Sequence, residues 1–339
     1  MVKIAIDAMG GDFGPAPIVK GTIAALKKKK FQAILVGKES EILPLLPKRY
    51  RAKISILDTD DVISMGDAAT DAVKRKESTI YKAIDLVKNG EADGVVSAGH
   101  SGATMTLATL RLGRLKGVTR PALAAVMPTK TKKRSILLDA GANVDSKAEH
   151  IAQFAIMGGC YAEDMWNIDT PSIGLLANGE EKSKGNDVTK EAFSILKDYK
   201  GFKGNVEGGD IFNASTDVIT CDGFVGNVVL KASEGVASTV SGLIKEYIRK
   251  SPVAITGALL MRKVFKLLKK QMDYEEVGGA PLLGIKGCAI VSHGKSGPKA
   301  IKNAIFQAIS YTETGVNEHI VSRIAELKEK IAKEKEEDN

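Results

Sequence analysis

Val2-Lys3-Ile4-Ala5-Ile6-Asp7-Ala8-Met9-Gly10-Gly11-Asp12 is a short apolar run that ends in a turn of acid and glycine. The same unit recurs along the chain. Ala33–Val36 stops at Gly37, and Lys53–Leu57 stops at Asp58. Gly94–Val96 runs into Ser97-Ala98-Gly99-His100-Ser101-Gly102, and Ser135–Leu138 into Asp139-Ala140-Gly141-Ala142-Asn143. Ile173–Leu176 leads to the segment from Asn178 to Asn186. Val218–Thr220 precedes Asp222-Gly223-Phe224-Val225-Gly226-Asn227, and Ala289–Val291 precedes Ser292-His293-Gly294-Lys295-Ser296-Gly297. Helical patterns lie between these runs. Continuous apolar strands alternating with helices predict an α/β fold in three layers, with a largely parallel sheet covered on both faces. Turns leaving the carboxyl ends of such strands gather at one edge, where ligands bind. The distant glycine-rich segments are therefore expected to meet in a single crevice.

No linker or low-complexity stretch divides the chain, so residues 1–339 read as one α/β domain. Two segments depart from the repeating unit. About residues 232–272 form a helical excursion, expected to protrude as a pair of helices with one break at Ser251-Pro252, where proline and the residue before it disfavour helix. Residues 321–339 read as a charged C-terminal helix and tail, with Ile324, Leu327 and Ile331 on one side.

Composition narrows the function. A hydrophobic content of 44% with 27% charged residues supports a sizeable core. Aromatics at 5% argue against stacking platforms for single-stranded nucleic acid. No zinc-finger spacing, basic zipper or recognition-helix pattern is present, so no nucleic-acid partner is expected. The formal charge of +8 points instead to anionic partners such as phosphorylated metabolites, an acidic protein or an anionic membrane face. Cys160, Cys221 and Cys288 are widely spaced, which suits reduced thiols better than a disulfide framework or a zinc site. The chain enters a strand at once, and no run of about 18 apolar residues occurs, so a cytoplasmic protein without a membrane span is expected.

The loops restrict the chemistry. There is no GxSxG nucleophile elbow, HExxH or Walker-type phosphate loop, and the first unit lacks a full GxGxxG fingerprint. No cofactor is expected. Helix amino termini carry unpaired N–H groups and partial positive charge, and glycine lets an anion approach them closely. Gly99-His100-Ser101-Gly102 and His293-Gly294-Lys295-Ser296-Gly297 have this make-up, and read either as phosphate sites or as plain turns. The cluster Glu180-Glu181-Lys182-Ser183-Lys184 reads either as a clamp for a charged substrate or as solvated surface. Asp222 reads either as a ligand or as an N-cap. Acids at strand ends are equally expected as caps, and without a tight DxD pair no metal site is assigned. His100, His150 and His293 are candidate acid–base groups, none given a role.

Plotted as a helix, Val253–Lys270 places Arg262, Lys263, Lys266, Lys269 and Lys270 on one arc. Val253, Leu260, Met261, Val264, Phe265, Leu267 and Leu268 fill the opposite arc, while Ile255 and Leu259 interrupt the basic side. Such a helix lies in an anionic membrane interface, or packs its apolar face on the core or on a second copy.

At these motifs the chain resembles the phosphate acyltransferase family, the acyl-carrier-protein:phosphate acyltransferases of bacterial phospholipid synthesis. The resemblance rests on Ile6-Asp7-Ala8-Met9-Gly10-Gly11-Asp12, Ser97-Ala98-Gly99 with Gly102, Arg120-Pro121-Ala122-Leu123-Ala124 and Leu138–Asp145. It continues through Gly179-Glu180-Glu181 with Lys184-Gly185-Asn186, Gly204-Asn205-Val206-Glu207, Asp222-Gly223-Phe224 with Gly226-Asn227, Gly278-Gly279-Ala280 and His293-Gly294. It implies transfer of a long-chain acyl group from acyl carrier protein to inorganic phosphate, giving acyl phosphate for a membrane glycerol-3-phosphate acyltransferase. It also implies a fold like isocitrate and isopropylmalate dehydrogenases, a homodimer and peripheral membrane association.

By matching, Lys184 and Asn227 fall on positions thought to be catalytic. Phosphate and substrate contacts are expected from Asp7, Gly10, Gly11, Gly99, His100, Ser101, Gly102, Asn143, Glu181, Gly185, Asn186, Asp222, Gly223, Gly226, His293 and Gly294. Membrane contacts are expected from Ile255, Leu259, Leu260 and Val264. His100-Ser101 stands where the family usually has Asn-Thr, and Gly209 where Arg is common before Asp210. The residues leave three rivals open: a phosphotransacylase using coenzyme A thioesters, a nicotinamide-dependent dehydrogenase, and a non-catalytic membrane scaffold.

Overall fold

The structure is a computed structural model that describes residues 1–131 and 133–337. All eight apolar runs become strands: β1 (Lys3–Asp7), β2 (Gln32–Val36), β3 (Ile54–Leu57), β4 (Gly94–Ser97), β7 (Ser135–Leu138), β8 (Ile173–Leu176), β10 (Val218–Thr220) and β12 (Cys288–Val291). Four more complete the set: β5 (Ala122–Leu123), β6 (Ala125–Met127), β9 (Phe202–Val206) and β11 (Ala280–Leu283). The helices are α1 (Pro15–Leu26), α2 (Glu39–Ile42), α3 (Thr79–Lys88), α4 (Ser101–Leu107), α5 (Ala148–Trp166) and α6 (Asp187–Leu196). They continue with α7 (Asp210–Asn213), α8 (Gly223–Arg249), α9 (Pro252–Leu260), α10 (Arg262–Met272), α11 (Pro298–Glu313) and α12 (Val316–Glu337).

The strands divide into two sheets where one was expected. The first runs β3-β2-β1-β4-β12-β11-β5 and the second β6-β7-β10-β8-β9. Pairing is parallel except at β11 with β12 and β5, and at β6 with β7. Alternation along β1 explains its unbroken apolar text. Ile4 and Ile6 share a core with Ile18 of α1 and Ile301 of α11, whereas Ala5 shares one with Ile80 of α3 and Leu107 of α4. Both faces are covered, so neither tolerates polar residues. In the second sheet Ile136 and Leu138 pack with Phe154 of α5, and Leu137 packs on the other side with Val229 and Leu230 of α8. A single extended segment joins the sheets: Ala122–Leu123 pairs with β11, Ala125–Met127 pairs with β7, and buried Ala124 lies between.

The helical excursion is broken twice, not once. Ser251 caps α9 by accepting the Ala254 amide at 3.3 Å, with Pro252 at the first helical position. The second break is at Met261, whose backbone (φ −84°, ψ 7°) leaves the helical region. It separates the chargeless α9 from α10, which carries five cations, so the two arcs plotted across Val253–Lys270 do not form one stripe. No residue of α9 or α10 is buried. At the C-terminal end, Ile320, Ile324 and Leu327 of α12 are buried in the core that α5 shares. Residues 338 and 339 of the expected tail lie outside the described residues. Among the described residues no helix is long and apolar enough to cross a membrane.

Candidate active site

Three loops leave the first sheet side by side, because β1, β4 and β12 are neighbours. Asp7 ends β1 almost fully buried and accepts the Ser97 hydroxyl at 2.8 Å and the Met9 amide at 3.3 Å. Burial pushes its carboxyl above the usual range, and the hydrogen bond from Ser97 opposes that. Gly10 and Gly99 touch through their backbones: a Cβ built on Gly10 would lie 2.8 Å from the Gly99 amide nitrogen and 2.4 Å from Asp7 Oδ2. The Asp12 amide donates to the Gly294 carbonyl at 2.8 Å, tying the β1 and β12 loops together. Asp7, Gly10, Gly11, Gly99, His100, Ser101, Gly102, His293 and Gly294 thus share one edge.

The second sheet forms its own cluster. Asp139, fully buried after β7, accepts the amides of Leu123, Gly141, Ala142 and Asn143 at 2.8–3.1 Å, and Asn143 Nδ2 at 2.8 Å. Burial raises its carboxyl pKa, opposed by these donors. The start of α8 presses against this loop. A Cβ on Gly223 would meet the Asn143 carbonyl at 2.1 Å, and one on Gly226 would meet the Asp139 carbonyl at 1.9 Å. Asn227 follows, exposed and beside Gly141. Asp222 is the N-cap of α8: its oxygens accept the Phe224 amide at 2.8 Å and the Ser146 amide at 2.7 Å.

Glu181, Lys184, Gly185 and Asn186 occupy the loop after β8, the strand next to β10. Lys184 is exposed, with its stem along Gly179 and its amide donating to the Glu181 carbonyl at 2.9 Å. Asn178 Oδ1 accepts the Gly185 amide at 2.8 Å, and Asn186 caps α6 by accepting the Thr189 amide at 2.9 Å. Lys184 and Asn227 therefore leave adjacent parallel strands at the same sheet edge. The two sheet edges meet at Met105 of α4 and Ala142 of the β7 loop, which pack into the cores of both sheets.

The three candidate histidines each accept a backbone amide. Nδ1 accepts the Ala103 amide in His100, the Lys147 amide in His150 and the Lys295 amide in His293, at 3.0–3.2 Å. His100 is the N-cap of α4. At α11 the Gly297 amide donates to Glu275 Oε1 at 3.0 Å, so a carboxylate of this chain already occupies that helix end. Cys160, Cys221 and Cys288 are buried, and burial holds their thiols far above the ordinary range. Residues 58–78, between β3 and α3, were not anticipated as part of the site, yet Met65 and Ala69 lie against Gly294 and Gly102. A surface depression of about 280 Å³ lined by Val87, Asp93, Leu112 and Lys286 lies at the opposite edge of the first sheet, away from these loops.

A family model described as fatty acid synthesis protein matches residues 2–319. A protein named phosphate acyltransferase from Sulfurimonas denitrificans is 80% identical, covering 97% of this chain and 99% of its own. The chain belongs to the phosphate acyltransferase family. Another member, from Nitratiruptor sp., is 60% identical over 96% of this chain and 99% of its own. As a phosphate acyltransferase family member, the chain is an enzyme of the acyltransferase class. Its fold is similar to that of a phosphotransacetylase from Streptococcus pyogenes, at a TM-score of 0.61 and 20% identity over 92% of this chain and 94% of the other. A branched-chain phosphotransacylase from Enterococcus faecalis V583 is similar at a TM-score of 0.58 and 15% identity, over 93% and 100% of the two chains.

Proposed function

We propose that this enzyme transfers a long-chain acyl group from acyl carrier protein to inorganic phosphate, releasing acyl phosphate and the free carrier thiol. The observation that carries the reading is the meeting of two glycine-rich sheet edges, with Lys184 and Asn227 following neighbouring strands of one of them. Phosphate is itself the nucleophile. One of its oxygens attacks the thioester carbonyl, the C–O bond forms and the carbonyl oxygen becomes an oxyanion; collapse of that tetrahedral species breaks the C–S bond, and the sulfur leaves as thiolate and takes up a proton. No acyl-enzyme is needed, which agrees with three cysteines that are buried and held protonated.

Catalysis then rests on holding two anionic partners together and on stabilising the oxyanion. Lys184 and backbone amides of the glycine-rich loops hold phosphate, and Asn227 Nδ2 donates to the developing oxyanion. One such donor is typically worth about 3 to 4 kcal/mol in the transition state.

The same reading places α9 and α10 at an anionic membrane, through Ile255, Leu259, Leu260 and Val264. Leu260 is 84% exposed and Leu259 67%, and burying a leucine side chain contributes roughly 1.5–3 kcal/mol. Arg262, Lys263, Lys266, Lys269 and Lys270 add about 1 kcal/mol each near anionic headgroups. There the acyl phosphate is released beside a membrane glycerol-3-phosphate acyltransferase. Exposed Val236, Val240, Leu243 and Tyr247 form a stripe of helical spacing along α8. It supports a homodimer in which a second copy covers that face.

The test is direct. Purified protein is given radiolabelled phosphate with a palmitoyl thioester on carrier protein or on coenzyme A, and acyl phosphate is read as label carried into the lipid-extractable product. Product from the carrier thioester is expected. Product from the coenzyme A thioester alone reassigns the donor, and none from either removes the reading.

A further inference from the structure

Residues 58–78 cross from β3 to α3 and are fastened at their base. Arg75 donates to both oxygens of Asp61, to Asp67 Oδ2 at 2.8 Å and to the Val62 carbonyl at 2.9 Å. Ile63 is buried in the core under α3 and α4, and the Ser64 amide donates to Asp67 at 2.7 Å. Between these anchors the tip reaches over the site loops. Met65 Cε stands 2.9 Å from a Cβ built on Gly294, and Ala69 Cβ stands 3.1 Å from one built on Gly102.

Met65 is nevertheless 52% exposed. The side chains of the loops beneath it, Asp12, His100, Ser101, His293 and Lys295, are polar. A large thioether fixed over a polar, glycine-lined edge is adaptable apolar surface offered to something outside the core. In the acyl-transfer reading, the donor's apolar chain must lie beside the loops that hold phosphate.

Resting on the acyl-transfer reading above, we propose that Met65 contacts the acyl chain of the donor and sets which chain lengths are transferred.

The experiment compares kcat/KM of wild type, Met65→Ala and Met65→Leu on butyryl and palmitoyl thioesters of one carrier, at saturating phosphate. Met65→Ala is expected to lower the palmitoyl value about tenfold more than the butyryl value, with the KM for phosphate unchanged. Met65→Leu is expected to restore the wild-type ratio. A palmitoyl-to-butyryl ratio unchanged in Met65→Ala overturns this inference alone. Wild type that forms no acyl phosphate from either donor overturns the acyl-transfer reading, and this inference with it.

Discussion

The side chain of Asn227 rests on the backbone of Gly141: a Cβ built on that glycine would lie 3.2 Å from Asn227 Cβ and 3.3 Å from Cγ. Gly141 also has a positive φ of 126°, which side-chain-bearing residues rarely adopt. Asn227→Ala, exposed and outside the core, is expected to keep its melting temperature and lose on the order of 10² to 10³ in kcat. Gly141→Ala should impair the same step by moving the amide. Turnover near wild type in folded Asn227→Ala would exclude it as the oxyanion donor.

Lys184 makes a different prediction, because it is assigned to the nucleophile. Lys184→Ala should raise the KM for phosphate by roughly ten- to a hundredfold, as expected for losing one solvent-screened cation about 4 Å from a dianion. The KM for the acyl donor should stay put. Equal changes in both would mean that the loop after β8 has been disordered.

The contact between Gly226 and Asp139 tests the architecture. A methyl group on Gly226 would overlap the Asp139 carbonyl at 1.9 Å, and backbone on both sides leaves no flexible group to yield. Gly226→Ala should destabilise the protein by about 1–3 kcal/mol or more, read from a shifted denaturant midpoint at unchanged slope. An unshifted midpoint would show that α8 and the β7 loop are not in contact.

Acidification offers a further check through His150. Burial, with Arg120 nearby, lowers its pKa below the ordinary 6.5. The unfolded chain therefore takes up the proton first. The neutral ring's contribution is complete above pH 6.5 and is lost as pH falls through the lowered folded-state pKa. His150→Gln, which keeps an acceptor for the Lys147 amide, should flatten the melting temperature across that window relative to wild type. Parallel profiles would remove His150 from the account.

The membrane assignment is tested by Leu260→Glu with Val264→Glu. Both residues are exposed, at 84% and 45%, so the fold and solution activity should survive. Flotation with vesicles containing phosphatidylglycerol should be lost. A lower solution mass than wild type with flotation intact would instead make this face a contact between copies.

Much of the fold was legible because strands buried on both faces must be apolar throughout, and eight of them stand out between glycine turns. The other four were not, for identifiable reasons. Ala122–Met127 is rich in alanine, which favours helix and is depleted in strands, and it is extended because β11 and β7 pair with it. β11 contains Pro281, which argues against a strand until its antiparallel position is known. β9 is polar and carries Gly204 at φ 102°, as an edge strand can. Glycines and acids marked the turns that follow the strands, but not what each acid does. Asp139 accepts amides of its own loop and of Leu123 in β5, and Asp222 caps a helix. The part played by residues 58–78 was hidden because it depends on Arg75 reaching Asp61 and Asp67, a pairing that no local motif announces.

The division of the chain between its sheets has a consequence for synthesis. β4 is bordered on one side by β1, but its other neighbour, β12, is made only after the whole second sheet, roughly 190 residues later. At about 5–20 residues per second on the ribosome, the nascent chain carries an open strand edge for roughly 10–40 s. Such an edge is a template for pairing with other chains. Truncations ending before Cys288 are accordingly expected to sediment with aggregates, while the full chain stays in the supernatant.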